Sequence, residues 1–265
     1  MHPLTRPGRP RRRARLVAPA TALALVLGLG LPVGAGGSGG GAAERPQLHV
    51  EVLRLAPAGH SPGSAAASLA ASASSPNPCS DRAYNLNGGR WRSTYQWSFR
   101  AGSTPAGLNR SAAEAAIRKG FGNIVGARND CGRADRVSAR ASYLGRTTRK
   151  ASCSVPDGRN VVGFRSLPSD TAARACWWTS GNRIVEADVQ VNSTLRWATT
   201  LAGCSRQLML EAVLTHEAGH VFGLGHVGEG KHGRLTMSTY IDGECQNGES
   251  TLGLGDMRGL EALYP

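Results

Sequence analysis

Three histidines and a glutamate form the part of the chain whose residue types and spacing point most directly to chemistry. His216 and His220 are four residues apart, so on a helix both imidazoles project from one face and can bind one metal ion. Gly223 lets the backbone leave that helix with a positive φ, so that the chain can turn back and His226 can supply a third nitrogen. Three nitrogen ligands leave the fourth tetrahedral position of Zn²⁺ open, as in catalytic rather than structural zinc sites.

Glu217 lies on the same turn, where its carboxylate can act on a metal-bound water instead of binding the metal. We therefore expect one catalytic Zn²⁺ and a hydrolytic reaction. The ion would lower the pKa of its bound water from about 15.7 towards about 7. Glu217 would accept the proton as general base and pass it to the leaving amine. The alternative is a helix with buried, hydrogen-bonded histidines, but it leaves the ligand spacing of three of the four histidines in residues 79–265 to chance.

The run His216-Glu-Ala-Gly-His220-Val-Phe-Gly-Leu-Gly-His226 resembles the metzincin zinc-binding signature, HExxHxxGxxH. Thr236-Met237-Ser238 follows the last histidine at the distance of the metzincin Met-turn. The resemblance implies that the three histidines bind the zinc, that Glu217 is the general base and that Met237 packs beneath the metal.

Within the metzincins, three further segments are similar to the matrixins, including the secreted bacterial ones. These segments are residues 103–108 with the Ala-rich stretch that follows, residues 183–192 and residues 252–264. The resemblance implies an α+β, zincin-like fold with a twisted mixed sheet, an antiparallel edge strand, an active-site helix and a C-terminal helix. It also implies a secreted zinc metalloendopeptidase. An extended protein or peptide substrate would lie antiparallel to an edge strand at 183–191, and residues 238–251 would wall the pocket for the side chain after the scissile bond.

The chain also departs from the matrixin pattern. Val227 stands where matrixins usually carry Ser, and Tyr240 follows the Met of the turn by three positions instead of four, without the family's intervening proline. Asp256 is the only acid left of the pair that usually opens the last helix. Residues 79–215 contain no histidine, which removes the ligands of a matrixin-type structural zinc site.

Glu186 and Asp188 could act as a pair on one face of the strand predicted at 183–191, where they would bind Ca²⁺ or orient the substrate. A solvated strand face is the interpretation that we favour, so neither residue is assigned to catalysis and Ca²⁺ dependence stays open. His232 is predicted to be a surface residue in the loop before the Met-turn.

All six cysteines lie between residues 79 and 265, and an even number in an exported domain predicts three disulfides in an oxidising compartment. Six cysteines allow many pairings, and the spacing does not decide among them. Cys153-Ser-Val-Pro-Asp157 resembles the cysteine switch of matrixin precursors. A switch should precede the catalytic domain, whereas Cys153 lies within it, so a disulfide is favoured.

The elements that must position these residues follow from hydrophobic periodicity and turn residues. Strands are predicted at 95–100, 137–144, 160–167, 176–179 and 183–191, with a turn at Gly181-Asn182 between the last two. Helices are predicted at about 109–124, 206–222 and 255–263. The second helix carries the first two histidines of the predicted zinc site.

The first 43 residues predict an export signal. Six arginines precede an apolar run at 16–33 and small residues follow, so we expect a signal peptide that is cleaved after Ala35 or Ala43, by either Sec or twin-arginine export. Prolines and glycines interrupt the run, which argues against a transmembrane anchor. Residues 44–78 are rich in Ala, Ser, Pro and Gly and predict a mostly disordered spacer or short prosegment with one alternating stretch, 48–55.

The remaining residues, 79–265, are predicted to form the zinc peptidase domain. The formal net charge of +13 suggests nucleic-acid binding only until its distribution is considered. Removal of residues 1–43 leaves 25 basic and 18 acidic residues, a net charge of +7, and the remaining arginines are scattered. We therefore expect a secreted monomer with no nucleic-acid partner and no stable membrane insertion after signal cleavage.

Two other functions share the predicted metal site. One is an extracellular zinc-binding module without catalysis, which the presence of Glu217 disfavours. The other is a zinc amidase that acts on cell-wall peptides, which the sequence does not separate from a protease.

Overall fold

The computed structural model describes residues 45–57, 77–241 and 243–265 of the chain. The predicted signal peptide lies outside the described residues, as do residues 58–76 of the predicted spacer. Among the described residues, no helix combines the length and the apolar character needed to cross a bilayer.

Eleven strands occur in the described residues: Gln47–Leu55 (β1), Asn85–Leu86 (β2), Tyr95–Phe99 (β3), Ala141–Arg146 (β4), Val161–Arg165 (β5), Thr171–Ser180 (β6), Arg183–Asn192 (β7), Trp197–Ala198 (β8), Leu208–Met209 (β9), Leu224–Gly225 (β10) and Tyr240–Ile241 (β11). Seven of them form one mixed sheet in the order β11-β1-β6-β7-β5-β3-β4. Strands β4, β3, β5 and β7 run parallel to one another, whereas β6 is antiparallel to β7 and β1 is antiparallel to β6. The short strands pair as β2 with β10 and β8 with β9.

The described residues also contain four α-helices: Arg110–Val125 (α1), Leu210–Val221 (α2), Glu229–His232 (α3) and Leu254–Leu263 (α4). The side-chain oxygen of Asn109 caps α1 by accepting the backbone N–H groups of Ser111 and Ala112, each at 3.0 Å. The helix ends at Val125, one residue after the predicted end, and Gly126 is its C-cap. With the mixed sheet, these helices confirm the α+β, metzincin-like fold, including its C-terminal helix.

The α2 helix is enclosed by its neighbours, and all twelve of its residues are buried. Gly120 of α1 makes the close helix contact possible, because a Cβ at this position would lie 2.7 Å from the backbone carbonyl carbon of Leu214. Polar contacts add to the packing: the Asn123 amide donates to Thr215 Oγ1 (3.0 Å) and to Glu211 Oε1 (3.2 Å). A helix held on all sides provides a rigid support for the side chains that it carries.

The side of the sheet that faces α1 and α2 is lined by large apolar residues. Tyr95, Trp97 and Phe99 of β3 are buried at alternate positions, as the period of a strand requires. Trp97 stacks on Phe121 of α1 with ring centroids 4.6 Å apart. These contacts fix the sheet relative to the two helices that meet behind the predicted metal site.

Three disulfides confirm the expectation from the cysteine count. They join Cys79 to Cys131, Cys153 to Cys176, and Cys204 to Cys245. Cys153 is therefore a disulfide partner of β6 and not a ligand that blocks the metal. Cys204–Cys245 joins the loop before α2 to the segment that follows β11.

Two sequence predictions are corrected by the sheet. The strand at 183–191, which we expected at the edge, is β7 and lies between β5 and β6. Its alternation predicts a strand but carries no information about which neighbours it has. The stretch at 48–55, expected within a mostly disordered spacer, is β1 and is paired on both sides, with β6 and β11.

Element boundaries differ by a few residues elsewhere. The predicted strand at 137–144 is displaced to Ala141–Arg146. The helix predicted from residue 206 begins at Leu210, because Leu208–Met209 pair with Trp197–Ala198 as strands. Helix propensity does not reveal such a competing pairing between segments that are distant in sequence.

Candidate metal centre

Two of the predicted ligands lie one helical turn apart on α2. His216 and His220 are completely buried, and their Nε2 atoms are 3.0 Å apart. Gly219 sits beside them on the helix and faces the sulfur of Met237, which a Cβ at this position would overlap. The Met-turn therefore packs directly against the helix that carries the ligands.

The third ligand reaches the site through a turn that requires glycine. Gly223 has φ +96°, and a Cβ at this residue would overlap the carbonyl oxygen of Gly89. The chain then forms β10, and His226 Nε2 lies 3.0 Å from His216 Nε2 and 3.1 Å from His220 Nε2. The structure thus brings together all three predicted histidines.

Each histidine has its other ring nitrogen engaged. His216 Nδ1 lies 2.7 Å from the carbonyl oxygen of Thr236, and His220 Nδ1 lies 2.9 Å from that of Leu224. His226 Nδ1 lies 3.1 Å from the carboxylate of Glu51. A donor Nδ1–H fixes the tautomer in which Nε2 presents its lone pair to a metal.

Burial keeps the imidazoles of His216 and His220 neutral. Burial lowers the pKa of His216 to about 3, with the charge of a protonated His226 adding to the effect. Burial also lowers the pKa of His220 well below its ordinary value, and the neighbouring His216 and His226 lower it further. Neutral imidazole is the form that binds a metal.

The geometry of the three nitrogens fits a zinc ion. Zn–N bonds of about 2.0–2.1 Å in a tetrahedral site place the nitrogens about 3.3 Å from one another. The Nε2 atoms here are 3.0–3.1 Å apart and converge on a single point. They are also the one group among the described residues in which three or more His, Cys, Asp or Glu ligand atoms lie close enough for one ion.

The Met-turn is held from below by α4. Asp256 is buried, and its carboxylate accepts the backbone N–H groups of Thr236 (3.0 Å), Met237 (3.2 Å) and Gly253 (2.9 Å). Burial raises its pKa to about 6, and the donated N–H groups oppose that rise. The one acid that the chain keeps at the start of this helix therefore connects the helix to the turn beneath the histidines.

Glu217 is completely buried, and no side chain donates a hydrogen bond to its carboxylate oxygens. The backbone amides of Ala175 in β6 and Leu53 in β1 act on it from the sheet side, where they lower its pKa. Burial is the larger effect and raises the pKa well above its ordinary value, with the negative charge of Glu51 adding to the rise. The carboxylate therefore faces two neighbouring strands, and only their backbone amides act on it.

Glu186 and Asp188 are buried, so our expectation of a solvated strand face is wrong. Glu186 accepts the backbone N–H groups of Asp157 (2.9 Å) and Gly158 (2.5 Å). Asp188 accepts those of Ser152 and Val161, each at 2.6 Å. All four carboxylate oxygens thus anchor the loop at 151–161, which covers the outer face of the sheet and carries Cys153.

His232 is a half-buried residue with a defined partner, since its Nδ1 lies 2.8 Å from a carboxylate oxygen of the buried Asp81. It lies in α3 and belongs to no group of potential metal ligands in the described part of the chain.

Sequence reasoning missed the contribution of β1 to this site. Glu51 contacts His226, and His49 stacks on Trp177, with ring centroids 5.4 Å apart. Trp177 in turn stacks on His220 at 6.3 Å. The available signal was the alternation at 48–55, whose odd-numbered positions carry the side chains that face the histidines.

The metzincin class of zinc site has a helix with two histidines one turn apart, a third histidine after a glycine turn, and a methionine turn, and all of these features occur here. The family model of the matrixins, peptidase family M10, matches residues 168–265. That segment includes β6, β7, α2, the Met-turn and α4. The match supports the assignment of this chain to the matrixin-like metzincins, a family of zinc metallopeptidases. No curated protein matches the chain.

Proposed function

We propose that this chain is a secreted zinc-dependent endopeptidase in which His216, His220 and His226 hold the metal and Glu217 is the general base. The observation that carries the proposal is the convergence of three Nε2 atoms within 3.0–3.1 Å, with the buried carboxylate of Glu217 on the same helix. Glu217 follows the first of these histidines on the same turn of α2, where a carboxylate can accept a proton from a metal-bound water.

When bound, the metal would supply Lewis-acid polarisation of a carbonyl and a water molecule of lowered pKa. The chain's own residues supply the rest. Glu217 accepts a proton from water and later delivers it to the amine of the leaving peptide. Its burial in α2 and against β6 excludes bulk solvent from that transfer, and the packing of α2 fixes the direction of its carboxylate.

Substrate binding is proposed to use the peptide groove, by which we mean the space between the edge of β6 that faces away from β7 and the short strand β11. Extended peptides bind at a sheet edge by adding a strand, because backbone N–H and C=O groups are available there. Beyond the groove, a cleft of about 620 Å³ is lined by Leu208, Ile241 and Gly243, among others. Residues of the predicted 238–251 wall therefore border this cleft.

Export to an oxidising compartment is supported by the three disulfides and by the predicted signal at 1–43. A protein or peptide is the substrate class that the peptidase family supports.

The test is digestion of casein by the purified, disulfide-bonded protein, with and without a zinc chelator. Glu217→Ala should lower hydrolysis by about 10²–10⁴-fold while zinc content, measured by mass spectrometry of the metal, stays the same. Glu261→Ala, on the half-exposed side of α4, is the matched control and should keep full activity. Cleavage that persists in Glu217→Ala would remove this residue from its role, and zinc binding without any cleavage would favour a non-catalytic zinc module.

A further inference from the structure

Two clefts outside the metal centre are lined by arginines that are scattered in the sequence. The first cleft, of about 500 Å³, lies where the chain enters β3 and β4 and is lined by Arg90, Arg92 and Arg140. The second, of about 300 Å³, lies along the same two strands and is lined by Arg149 and Arg159. Among the described residues, no Asp or Glu side chain lines either cleft. Folding therefore gathers positive charge at a place that the sequence does not reveal.

The two clefts follow one another along β3. The large aromatic residues of this strand are buried towards the helices, so the more exposed residues that alternate with them lie on the opposite side of the sheet. Thr94, which continues this alternation, lines the first cleft, whereas Gln96 and Ser98 line the second. At about 3.3 Å per residue, Thr94 and Ser98 are roughly 13 Å apart. We refer to the five arginines of the two clefts together as the arginine track.

The hydrogen bonds of the track leave its charge uncompensated. The guanidinium of Arg90 donates to the backbone carbonyl of Leu263 at 2.6 Å. That of Arg92 donates to Oδ1 of Asn182 at 3.3 Å. Both acceptors are neutral, so these bonds orient the two guanidiniums without cancelling their charge.

Neighbouring acids do not pair with the track. Asp157 accepts the backbone N–H of Arg159 at 3.0 Å, not its guanidinium. The α-carboxylate of Pro265 borders the first cleft, yet the ion pairs of the described residues include neither this group nor any arginine of the track. Arg146, at the end of β4, shows the contrasting case, because Glu114 pairs with it at 2.6 Å. The track is therefore available to an external anion.

The other groups of the track indicate which kind of anion fits. Its clefts are also lined by side-chain hydroxyls, which can exchange hydrogen bonds with a ligand that carries hydroxyl groups. They belong to Ser93, Thr94 and Ser138 in the first cleft and to Ser98 and Thr147 in the second. The aromatic residues of the described lining, Trp91 and Tyr264, are buried and offer no exposed ring on which a nucleobase could stack. Charge combined with hydroxyls favours an acidic sugar polymer over a nucleic acid.

We propose that the arginine track binds a linear acidic polysaccharide. The carboxylate or sulfate groups of the polymer pair with the guanidiniums, whose planar fork matches such oxyanions. The hydroxyl groups of the polymer bond to the serines and threonines between the arginines. Two clefts in line fit an extended chain with repeated negative groups better than a single small ion. No residue of the candidate metal centre lines either cleft, so this binding does not depend on the proposed peptidase activity.

The first test measures the affinity of the full wild-type chain for soluble polymers by isothermal titration calorimetry. Dextran sulfate supplies sulfate groups, polygalacturonate supplies carboxylates, and uncharged dextran is the control. We expect one or both of the anionic polymers to bind at least about tenfold more tightly than dextran at about 0.15 M salt, and to bind less tightly as the salt concentration rises. The tighter of the two identifies the anionic group. Binding of neither polymer, or tighter binding of single-stranded DNA than of both, overturns the proposal.

The second test removes charge from each cleft in turn. Arg92→Gln with Arg140→Gln changes the first cleft, and Arg149→Gln with Arg159→Gln changes the second. All four side chains are exposed, so the fold should persist. Each pair of substitutions should weaken polymer binding at least about tenfold, since charge-assisted hydrogen bonds are lost.

The matched control removes the same net charge from the helices. Arg110→Gln with Arg258→Gln changes two exposed arginines of α1 and α4, and the affinity should fall by less than about threefold. An equal loss in the control and in the track variants would show that only the net charge matters, and it would overturn the proposal.

Hydrogen exchange of the wild-type chain provides a measurement that needs no variant. Bound polymer should slow exchange at residues 90–94, 138–140 and 147–149. Slower exchange confined to other segments would place the polymer elsewhere and overturn the arginine track as its site.

Discussion

The carboxylate of Glu51 lies 3.1 Å from Nδ1 of His226, so a residue of β1 contacts the third histidine of the candidate metal centre. The corresponding partners of His216 and His220 are backbone carbonyls of the catalytic domain itself. Only His226 takes its partner from β1, and only this partner is a charged side chain. The His226 ligand is therefore the one whose orientation depends on whether β1 is in place.

Glu51→Gln should weaken zinc binding in the full chain. The glutamine keeps the size of the side chain but removes the negative charge that stabilises the Nδ1–H of His226. Loss of such an outer partner typically lowers metal affinity by about 10–100-fold. Competition with a chromophoric zinc chelator measures this, and Leu48→Asp serves as the control on the same strand. An unchanged zinc affinity would show that Glu51 does not contribute to metal binding.

Gly219→Ala should destabilise the domain because its Cβ would overlap the sulfur of Met237. Overpacking of this kind typically costs about 1–3 kcal/mol of unfolding free energy. Gly122→Ala is the matched control in a helix: no atom lies within 4 Å of its Cβ position, so it should gain about 0.5–1 kcal/mol instead. Urea unfolding of both variants gives the comparison. Equal stability of the two would mean that Met237 can move aside without cost.

Because of Asp188, the free energy of unfolding should decrease as the pH rises from about 4 to about 7. Burial raises its pKa from 3.8 to about 7, so in this range the folded state holds a proton that the unfolded state has released. The free energy of unfolding should then decrease by at most roughly 1.4 kcal/mol per pH unit. Asp188→Asn should reduce this slope, because the contribution of Asp188 is lost while that of Asp256 remains, and urea unfolding at several pH values measures the difference.

The exposed Asp135 offers a control for that experiment. Asp135→Asn should leave the pH slope of the wild type intact. If Asp188→Asn keeps the wild-type slope, another acid is responsible for it, and Asp256, whose pKa burial raises to about 6, is the next to be replaced.

Replacement of both Cys153 and Cys176 by Ala should destabilise the domain without activating it. Cys153 is bonded to Cys176 of β6 and does not bind the metal centre. Removal of the disulfide therefore opens no position for a metal ligand. For a loop of this length the expected loss is about 3 kcal/mol of unfolding free energy. Casein hydrolysis per folded molecule should stay constant, with the Cys204→Ala and Cys245→Ala pair as comparison. A rise in activity specific to the first pair would revive the cysteine-switch interpretation.

Much of the metal centre was predictable from sequence because its geometry is local. His216, His220 and Glu217 lie within one and a half turns of a single helix, and the glycine at 223 is required by a positive φ. The Met-turn and the last helix were predicted from resemblance to the matrixins, and the structure places both beneath the histidines. Cysteine number predicted three disulfides, but their pairing depends on which loops come together in space.

The order of the strands was not predictable in the same way. Alternation at 183–191 and at 48–55 predicts a strand in both places. It does not show that the first strand lies in the interior of the sheet and the second pairs with the outer edge of β6. Burial of Glu186 and Asp188 was missed for a related reason. Their polar character suggests solvent, whereas the loop at 151–161 folds over them and supplies backbone N–H donors.

The sequence by itself therefore determined the composition of the candidate metal centre: three histidine nitrogens and one carboxylate, encoded in the spacing along one helix and its exit turn. Only the tertiary structure decided which other residues surround that centre. Strand pairing joins segments far apart in the chain, and its partners are selected by burial and hydrogen bonding across the whole sheet. That selection places Glu51 and Leu53 of β1 beside the candidate metal centre. Their distance in sequence from the histidines gave no indication of this position.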